Sequence, residues 1–428
     1  MRKIIFFALF ASLIGFGQTV TDTLVYMQYN ILNYRNYSDF CTISNNSHVD
    51  KEGYMSTIVD YAKPDIIAVN EMVADGGTAA KRFLDNALNQ DGRDYYKQAD
   101  YTANSNLCNM LYFNQNKLVL HSQDQIDRGL NGTTLTRLID VYELYYLDQS
   151  ELDAGDTTWL VCYVAHLKAS SGSANVALRA TATEAAMKYH EDNYDGNKNY
   201  IFSGDFNMYT SNEQGFINML GHSNRTIRFK DPINKPGSWN NSGTFASVHT
   251  QSTRTSGSCH SGGGLDDRFD FVLCGEELLD NSRGIEYITG SYRALGNDGN
   301  HFNSNLNSGT NNSVPSAVLN ALYQMSDHLP IEIKMGITRS IASVTEKLAN
   351  NYLVMSNPID NQLHWRMQLP VAGTLRVIDA QGKEVFVQDV LAGSEWYTSD
   401  VSDWSAGAYY ASFTTADGQV VRRKLIKM

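Results

Sequence analysis

The chain has 428 residues, of which 42% are hydrophobic and 19% charged, and its formal net charge at pH 7 is −12. This length suits one large domain with a small one rather than a single ordinary domain. This negative charge argues against binding of nucleic acid or an anionic membrane through overall electrostatic attraction, although a metal site can reverse the electrostatic potential locally.

The first 17 residues have the pattern of a signal peptide. A basic start at residues 1–3 precedes an apolar run at 4–16, and Gly17 leads to Gln18, where we place cleavage. The apolar run is too short to span a bilayer comfortably. We therefore favour cleavage over an anchor and expect no stable membrane insertion.

Short apolar runs alternate with helix-like segments as far as residue 338. Strands are predicted at 24–29, 66–69, 159–165, 200–202, 269–273 and 331–333. Helices are predicted at 54–62, ended by Pro64, and at 176–190. Residues 249–264 and 296–313 are predicted loops. This alternation predicts sheets covered by helices on their outer faces.

The pattern changes after residue 350. Short strands separated by turns are predicted at 363–369, 373–378, 384–390 and 409–413. We therefore divide the chain into a signal peptide (1–17), a large domain (18–338), a linker (339–350) and a small all-β domain (351–428).

The five cysteines are an odd number, which leaves at least one unpaired unless it is modified or linked between chains. They are Cys41, Cys108, Cys162, Cys259 and Cys274. Cys162 lies in an apolar run, where a buried, unreactive thiol is expected. Their spacing matches no zinc site, and the pairing cannot be read from it.

Polar residues lie where the predicted strands of the large domain end. They are Asn30, Glu71, His166, Asp205, Asn207, Asp327 and His328. Asp270 differs because it lies inside a strand, where a carboxylate needs a partner. Each residue alone has an ordinary interpretation as a turn, a solvated strand end or a structural histidine. Together they supply oxygen ligands for a hard cation, a base for water and donors to a pentacoordinate phosphorus.

Six motifs carry a family resemblance. They are YNIL at 29–32, PDIIAVNE at 64–71, AHL at 165–167, GDFN at 204–207, DRFDF at 267–271 and SDHLP at 326–330. In this order they resemble the endonuclease/exonuclease/phosphatase superfamily, which has the deoxyribonuclease-I-like fold. The resemblance implies a four-layered α/β sandwich, with two packed, mostly antiparallel sheets, outer helices and an active site at one edge.

The resemblance also implies a divalent metal site. Glu71 would be the principal ligand, with Asn30 and Asp327 in the metal's shell. The implied ion is Mg²⁺, with Mn²⁺ or Ca²⁺ as alternatives. Asn70 departs from the Gln that usually precedes this Glu, which shortens a supporting side chain and leaves the ligand intact.

The remaining implied roles concern phosphate and water. His328 would contact the scissile phosphate while Asp270, in preference to Asp267, pairs with it. Asp205 would position or deprotonate the attacking water, and Asn207 would donate to a phosphate oxygen. His166 would be a second phosphate-binding or acid–base residue, whose partner the sequence does not identify. Two weaker matches for phosphate contact are Arg137 and Tyr163.

The last 75 to 80 residues resemble the type A sorting domain of the type IX secretion system. The matching segments are SNP at 356–358, DAQGK at 379–383, GAYY at 407–410 and KLIK at 424–427. The alternative is a carbohydrate- or protein-binding β-sandwich. The sorting interpretation implies the type IX machinery as a partner, passage through the periplasm and outer membrane, and a secreted or cell-surface location.

Three functions are consistent with these features. The leading hypothesis is a secreted metal-dependent endonuclease that hydrolyses extracellular DNA or RNA. The second is a phosphatase or phosphodiesterase acting on another phosphoester, such as an inositol phosphate or a phospholipid head group. The third is a non-catalytic binding protein that retains the fold.

Overall fold

A computed structural model describes residues 18–148, 152, 157–341, 353–367, 372–390, 396–415 and 420–428. One compact unit is Asp22–Ile337, and the other includes Thr338–Met428. The predicted signal peptide, 1–17, and most of the predicted linker, 339–350, lie outside the described residues. The domain limits 18–338 and 351–428 stay predictions.

Strands of two sheets form the middle of the larger unit. In chain order they are β1 (Gln18–Tyr34), β2 (Ile66–Val73), β3 (Tyr96–Gln98), β4 (Leu107–Asn114), β5 (Leu118–Arg128), β6 (Thr134–Tyr146), β7 (Trp159–His166), β8 (Asn199–Asp205), β9 (Asp270–Cys274), β10 (Ile285–Tyr287), β11 (Arg293–Ala294) and β12 (Ile331–Ile341). The first sheet has the order β10-β12-β1-β2-β4-β3, with β11 beside β12, and the second has the order β5-β6-β7-β8-β9. Most pairs are antiparallel, whereas β1–β2 and β7–β8 are parallel.

Helices accompany these strands along the chain. They are α1 (His48–Ala62), α2 (Thr78–Phe83), α3 (Ser173–Asn193), α4 (Gln214–Leu220), α5 (Glu276–Asp280) and α6 (Ser316–Met325). A π-helical turn occupies Leu84–Leu88, and 3₁₀ turns occupy Arg225–Ile227 and Gly243–Val248. Helix α1 begins before the predicted residue 54 because the Ser47 side chain caps it, and it ends just before Pro64.

Three apolar cores define the layers of this unit. The middle core packs one sheet on the other through residues such as Tyr26 and Cys162. A second core joins α1, α2 and α6 to the outer face of the first sheet. A third joins α3 and α4 to the outer face of the second sheet. The order helix, sheet, sheet, helix confirms the predicted four-layered α/β sandwich.

The smaller unit contains β-strands around its own core. They are β13 (Leu353–Met355), β14 (Gln362–Met367), β15 (Gly373–Asp379), β16 (Glu384–Val390), β17 (Tyr397–Asp400), β18 (Gly407–Thr415) and β19 (Val420–Lys427). They form the sheets β13-β14-β17 and β16-β15-β18-β19. Buried Trp365, Val377 and Phe413 belong to the shared core. The predicted small all-β sandwich is confirmed.

Gly204, in β8, permits the close pairing of β7 and β8. Its φ is +143°, and a Cβ at this position would lie 1.8 Å from the carbonyl oxygen of Ala165. A change of rotamer cannot relieve that clash, because the backbone fixes the position of a Cβ and the atom it meets is a backbone oxygen. Glycine is therefore required immediately before Asp205.

We expect Gly204→Ala to lower the free energy of unfolding by more than about 4 kcal/mol, at the extreme of single substitutions. Gly53→Ala is the matched control, since Gly53 lies inside α1 with open space around it. That control should gain about 0.5–1 kcal/mol. Urea unfolding of both variants measures the difference, and similar stabilities for the two would contradict the steric argument.

Candidate active site

The strand pairing brings the predicted polar residues to one edge of the sandwich. In the second sheet, Asp205 is the register partner of both His166 and Asp270. In the first sheet, Asn30 is the partner of Asn70, which precedes Glu71. The ends of parallel strands lie at the same edge of a sheet, so these side chains gather where the two sheets face each other.

Asn30 joins the two sheets at this edge. Its Nδ2 donates to Glu71 Oε1 and to Asp205 Oδ2, both at 3.0 Å, while its Oδ1 accepts the Leu32 N–H at 3.0 Å. The backbone donor fixes the orientation of the amide. Both polar atoms of the Asn30 amide are hydrogen-bonded at this edge, and its predicted place in the metal's shell stays a prediction.

Glu71 is aimed at the site by an irregular backbone. Its φ is +64°, and the pairing of β1 with β2 shifts register at this position. A bulge re-aims a side chain that a regular strand would direct elsewhere. Glu71 Oε2 accepts the Asn33 N–H at 2.9 Å. The carboxylate is thus held from both sides before any ion binds.

Glu71, His166 and Asp205 form a group compact enough to hold one metal ion, with one ligand atom of each within 4.8 Å of the others. His166 Nε2 lies 3.7 Å from Glu71 Oε1 and 3.5 Å from Asp205 Oδ2. Two carboxylates and an imidazole fit a divalent cation, and the imidazole suits Mn²⁺ better than Mg²⁺, which prefers oxygen ligands.

Asp327 lies outside that group. Its Oδ2 accepts the Ser261 N–H at 2.8 Å, and its buried Oδ1 has no hydrogen-bond partner among the described residues. The compact group shares Glu71 with the predicted metal set, and the metal roles of Asn30 and Asp327 stay predictions. Asp327 remains near the site through its neighbour His328.

His166 is a neutral imidazole. Burial, reinforced by the positive charges of Arg137 and His328, holds its pKa well below 6.5. Its Nδ1 is buried and has no hydrogen-bond partner within the described part of the chain. A neutral ring with Nε2 toward two carboxylates has a lone pair to offer a metal ion, and the predicted phosphate-binding or acid–base role stays a prediction.

His328 and Asp270 form a tight buried pair. His328 Nδ1 lies 2.6 Å from Asp270 Oδ2. Burial alone would lower the pKa of His328, but the charges of Asp270 and Asp205 outweigh it and raise that pKa well above 6.5. The direction of this shift favours the imidazolium form of His328. Asp267, the alternative partner, instead accepts from Asn240 Nδ2 at 2.8 Å.

Asp205 is fixed by the loop that follows it. Its Oδ1 accepts the Asn207 N–H at 3.0 Å, and Asn207, at φ +53°, donates its Nδ2 to the Leu167 carbonyl at 3.3 Å. Asn has a second Nδ2–H, which can donate to a substrate oxygen. The sharp turn thus presents Asp205 and Asn207 together.

Asn70 supports Asp205 from beneath. Its Oδ1 accepts the Asp205 N–H at 3.0 Å and Gln28 Nε2 at 2.8 Å, and its Nδ2 donates to Asn109 Oδ1 at 2.8 Å. Gln28 and Asn109 are buried as well. Both polar atoms of the Asn70 amide are therefore hydrogen-bonded in a buried network beneath Asp205.

The pH dependence of stability tests the environment of Asp205. Burial raises its pKa from 3.8 to about 7, with opposition from His328 and reinforcement from Asp270 and Glu71. The folded state then binds this proton more tightly than the unfolded state, so the stabilisation is complete below about pH 4 and disappears as pH rises through about 7.

We expect the stability of the metal-free wild type, relative to Asp205→Asn, to fall between pH 4 and 7, on the order of 1.4 kcal/mol per pH unit. Urea unfolding of both proteins across this range measures it. The difference between the two proteins cancels the titration of groups that they share. A difference independent of pH would show that Asp205 has an ordinary pKa.

The two weaker phosphate candidates occupy different places. Arg137 donates from Nη1 to the Leu167 carbonyl at 3.2 Å. Burial lowers the pKa of Arg137, and the charges of Glu71 and Asp205 oppose that shift. The influence of these two carboxylates places the guanidinium beside the site. Tyr163 is instead buried in the core under α3, with its hydroxyl 3.1 Å from His190 Nδ1. The structure does not bring Tyr163 to the site.

Two further residues approach the site without a signal in the sequence. Gln251 Nε2 lies 2.7 Å from His328 Nε2, the ring nitrogen opposite Asp270. A charged ring donates from both nitrogens, so a hydrogen bond here requires the Gln251 amide to turn its oxygen toward the ring. Lys51, buried in α1, donates Nζ to the carbonyls of Ile31 and Leu32 at 2.9 and 2.5 Å, just after Asn30. Gln251 belongs to a Ser/Thr/Gly-rich loop and Lys51 to an ordinary helix, so composition did not distinguish them.

Comparison with a known domain family decides the nature of the C-terminal segment. Residues 354–428 match the family described as secretion system C-terminal sorting domain. This segment is a sorting domain. The predicted sorting domain and a secreted or cell-surface location are confirmed, and the implied partner is the type IX secretion machinery. No helix within the described ranges is long and apolar enough to cross a membrane.

Three solved structures that are similar to this chain each share 13% sequence identity with it. The human Nocturnin catalytic domain covers 74% of this chain and 97% of its own, with a TM-score of 0.45. An endonuclease/exonuclease/phosphatase from Beutenbergia cavernae covers 94% and 99%, with a TM-score of 0.44. A mannosyl-6-phosphatase from Bacteroides thetaiotaomicron covers 73% and 99%, also with a TM-score of 0.44. No curated protein sequence matches the chain.

Proposed function

We propose that the Asp22–Ile337 unit is a divalent-metal-dependent phosphoester hydrolase of the endonuclease/exonuclease/phosphatase superfamily, and that its substrate is extracellular DNA or RNA. The observation that carries the proposal is the meeting of two oppositely charged sets. A charged His328, held by Asp270, lies 3.7 Å from Asp205 Oδ2, which belongs to the compact ligand group. Few reactions need an imidazolium donor and a cation-binding carboxylate cluster together, and phosphate cleavage is one of them.

Glu71, His166 and Asp205 would hold the cation, with Mn²⁺ or Mg²⁺ as the expected ion. When bound, it supplies charge stabilisation at the phosphate oxygens and makes a water molecule more acidic. The imidazole ligand and the low pKa of His166 are compatible, because only a neutral ring has a lone pair to offer.

The chain's own groups would divide the remaining work. Asp205 orients the attacking water or takes its proton. His328 donates from Nε2 to a phosphate oxygen, and Asp270 keeps the ring charged and correctly turned. Asn207 donates through its second Nδ2–H, and Arg137 offsets negative charge beside the carboxylates.

Incubation of the full chain with plasmid DNA and single-stranded RNA, in the presence and absence of Mn²⁺ or Mg²⁺, tests the proposal directly. We expect cleavage of at least one polymer that disappears with a chelator. No cleavage of either polymer, with hydrolysis of another phosphoester, would contradict the choice of substrate and retain the chemistry.

The second candidate keeps the chemistry and changes the substrate to a smaller phosphoester, such as an inositol phosphate or a lipid head group. The net charge of −12 favours it, since a long polyanion is repelled by an acidic protein while a small ester needs only the local site. A much higher rate of hydrolysis for a soluble monoester or sugar phosphate than for DNA would identify this alternative.

A further inference from the structure

A disulfide bond joins two loops that border the candidate active site. The first loop, residues 35–47, connects β1 to α1, and the second loop is residues 249–264. The bond links Cys41 in the first loop to Cys259 in the second, across a sequence separation of 218 residues. The other three cysteines are free and buried.

The first loop supports Glu71. The Asn33 N–H, two residues before this loop, donates to Glu71 Oε2 at 2.9 Å, and Asn33 Nδ2 lies 3.7 Å from Cys41 Sγ. Asn46, at the far end of the same loop, donates Nδ2 to the carbonyls of Leu32 and Asn33 at 3.2 Å. The backbone that donates to Glu71 is therefore part of the structure that Cys41 anchors.

The second loop supports Asp327 and His328. The Ser261 N–H, two residues after Cys259, donates to Asp327 Oδ2 at 2.8 Å. Gln251, at the start of the loop, places its amide 2.7 Å from His328 Nε2. The Ser252 hydroxyl donates to the Ser261 carbonyl at 2.6 Å, which ties the two ends of this loop together.

The covalent bond is the strongest constraint between these loops. A hydrogen bond from Asn45 Nδ2 to Ser258 Oγ, at 2.8 Å, also joins them, but both residues are exposed and water competes for that contact. Loops rich in Ser, Gly and Asn have many alternative conformations. Each donor segment also has hydrogen bonds within its own part of the chain, such as those of Asn46 and Ser252, and the disulfide adds the covalent link that holds the two loops together.

We propose that the Cys41–Cys259 disulfide is a positioning element of the active site, which sets Glu71 through Asn33 and Asp327 through Ser261. The inference rests on the proposed function in assigning Glu71 to the metal group and His328, the neighbour of Asp327, to the phosphate. The bond forms when the two thiols lose two protons and two electrons to an external disulfide, which becomes two thiols. Because the cytosol keeps thiols reduced and the chain carries a sorting domain, full activity is acquired only after export.

The test compares the full-length wild type with the Cys41→Ala/Cys259→Ala double variant. The matched control is Cys162→Ala, which removes a buried free thiol. Mn²⁺ binding is measured by titration calorimetry without substrate, and exchange of backbone amides is measured at Asn33 and Ser261. Dithiothreitol treatment of the wild type, followed by reoxidation, repeats the comparison without a substitution.

We expect the double variant and the reduced wild type to bind Mn²⁺ about 10-fold to 100-fold more weakly, the usual effect of losing groups that orient metal ligands. The Asn33 and Ser261 amides should exchange at least about tenfold faster while β7 and β8 stay protected. Cys162→Ala should retain tight Mn²⁺ binding, and reoxidation should restore it in the wild type.

Unchanged Mn²⁺ affinity and unchanged exchange at both amides, with the bond absent, would overturn the proposal. Faster exchange throughout β7 and β8 would also overturn it, since the bond would then support only global stability. If the wild type cleaves no phosphoester but the binding and exchange changes appear, the positioning role stands and the proposed function fails.

Discussion

Replacement of His328 by alanine is expected to lower kcat for phosphoester hydrolysis by about 10²–10⁴-fold, the range for loss of a positioned acid or base. The reason is the charge that the site maintains on this ring. Asp270 and Asp205 raise the pKa of His328 far enough to overcome its burial, so the wild type presents a permanent N–H donor where phosphate charge develops. Alanine removes both the charge and the donor.

Two comparisons separate this effect from loss of folding. His121→Ala, at an exposed position of β5, is the matched control and should retain the wild-type rate. His328→Gln keeps a donor toward buried Asp270 without the positive charge, so it should stay folded yet remain slow. A rate for His328→Ala within about threefold of the wild type would contradict the assigned role, since general-acid effects exceed that range.

Replacement of Glu71 by glutamine is expected to have opposite effects on metal binding and on stability. The dissociation constant for Mn²⁺ should rise by at least about 100-fold, because even residues behind the ligands change metal affinity by 10-fold to 100-fold. The metal-free variant should be as stable as the wild type or more stable. The charge of Glu71 raises the pKa of Asp205, and that repulsion is relieved when Glu71 becomes neutral.

Glu286→Gln, at an exposed position of β10, is the matched control and should change neither quantity. Titration calorimetry with Mn²⁺ and urea unfolding of the metal-free proteins provide the two measurements. Weaker binding together with lower stability would indicate a structural carboxylate. Unchanged binding would remove Glu71 from the metal site.

The fold could be predicted from the sequence because its apolar runs, turn residues and ordered motifs agree. The runs at 66–69 and 200–202 lie within β2 and β8, and polar residues mark the strand ends that meet at the site. Gly204 belongs to the GDFN motif. Its positive φ and its close approach to Ala165 both require glycine, so the residue type itself indicates this backbone conformation.

The details of the site depend on contacts that composition does not encode. The sequence does not show that the Leu32 N–H donates to the Asn30 side chain, although the two residues are close in the chain. Nor does it show that a loop more than 60 residues earlier than Asp327 supplies the Ser261 N–H that donates to its carboxylate. Local spacing cannot reveal a donor that the fold brings from so far away.

Alternation along a strand explains the case of Tyr163. It lies three residues before His166, so the two side chains point to opposite faces of β7. The face of Tyr163 packs under α3, whereas His166 faces Asp205. The disulfide is a similar case, because the choice among five cysteines depended on two loops meeting in space.

The central claim is metal-dependent phosphoester hydrolysis at the group Glu71, His166 and Asp205. Its most direct measurement is a titration of Mn²⁺ and Mg²⁺ into chelator-treated full-length protein while hydrolysis of DNA, RNA, a simple phosphodiester and a sugar phosphate is followed. We predict that at least one substrate is cleaved, only when metal is present, and that Glu71→Gln shifts the half-saturating metal concentration upward. Absence of hydrolysis of every substrate at saturating metal, by folded wild-type protein, would contradict the account and favour a non-catalytic binding protein.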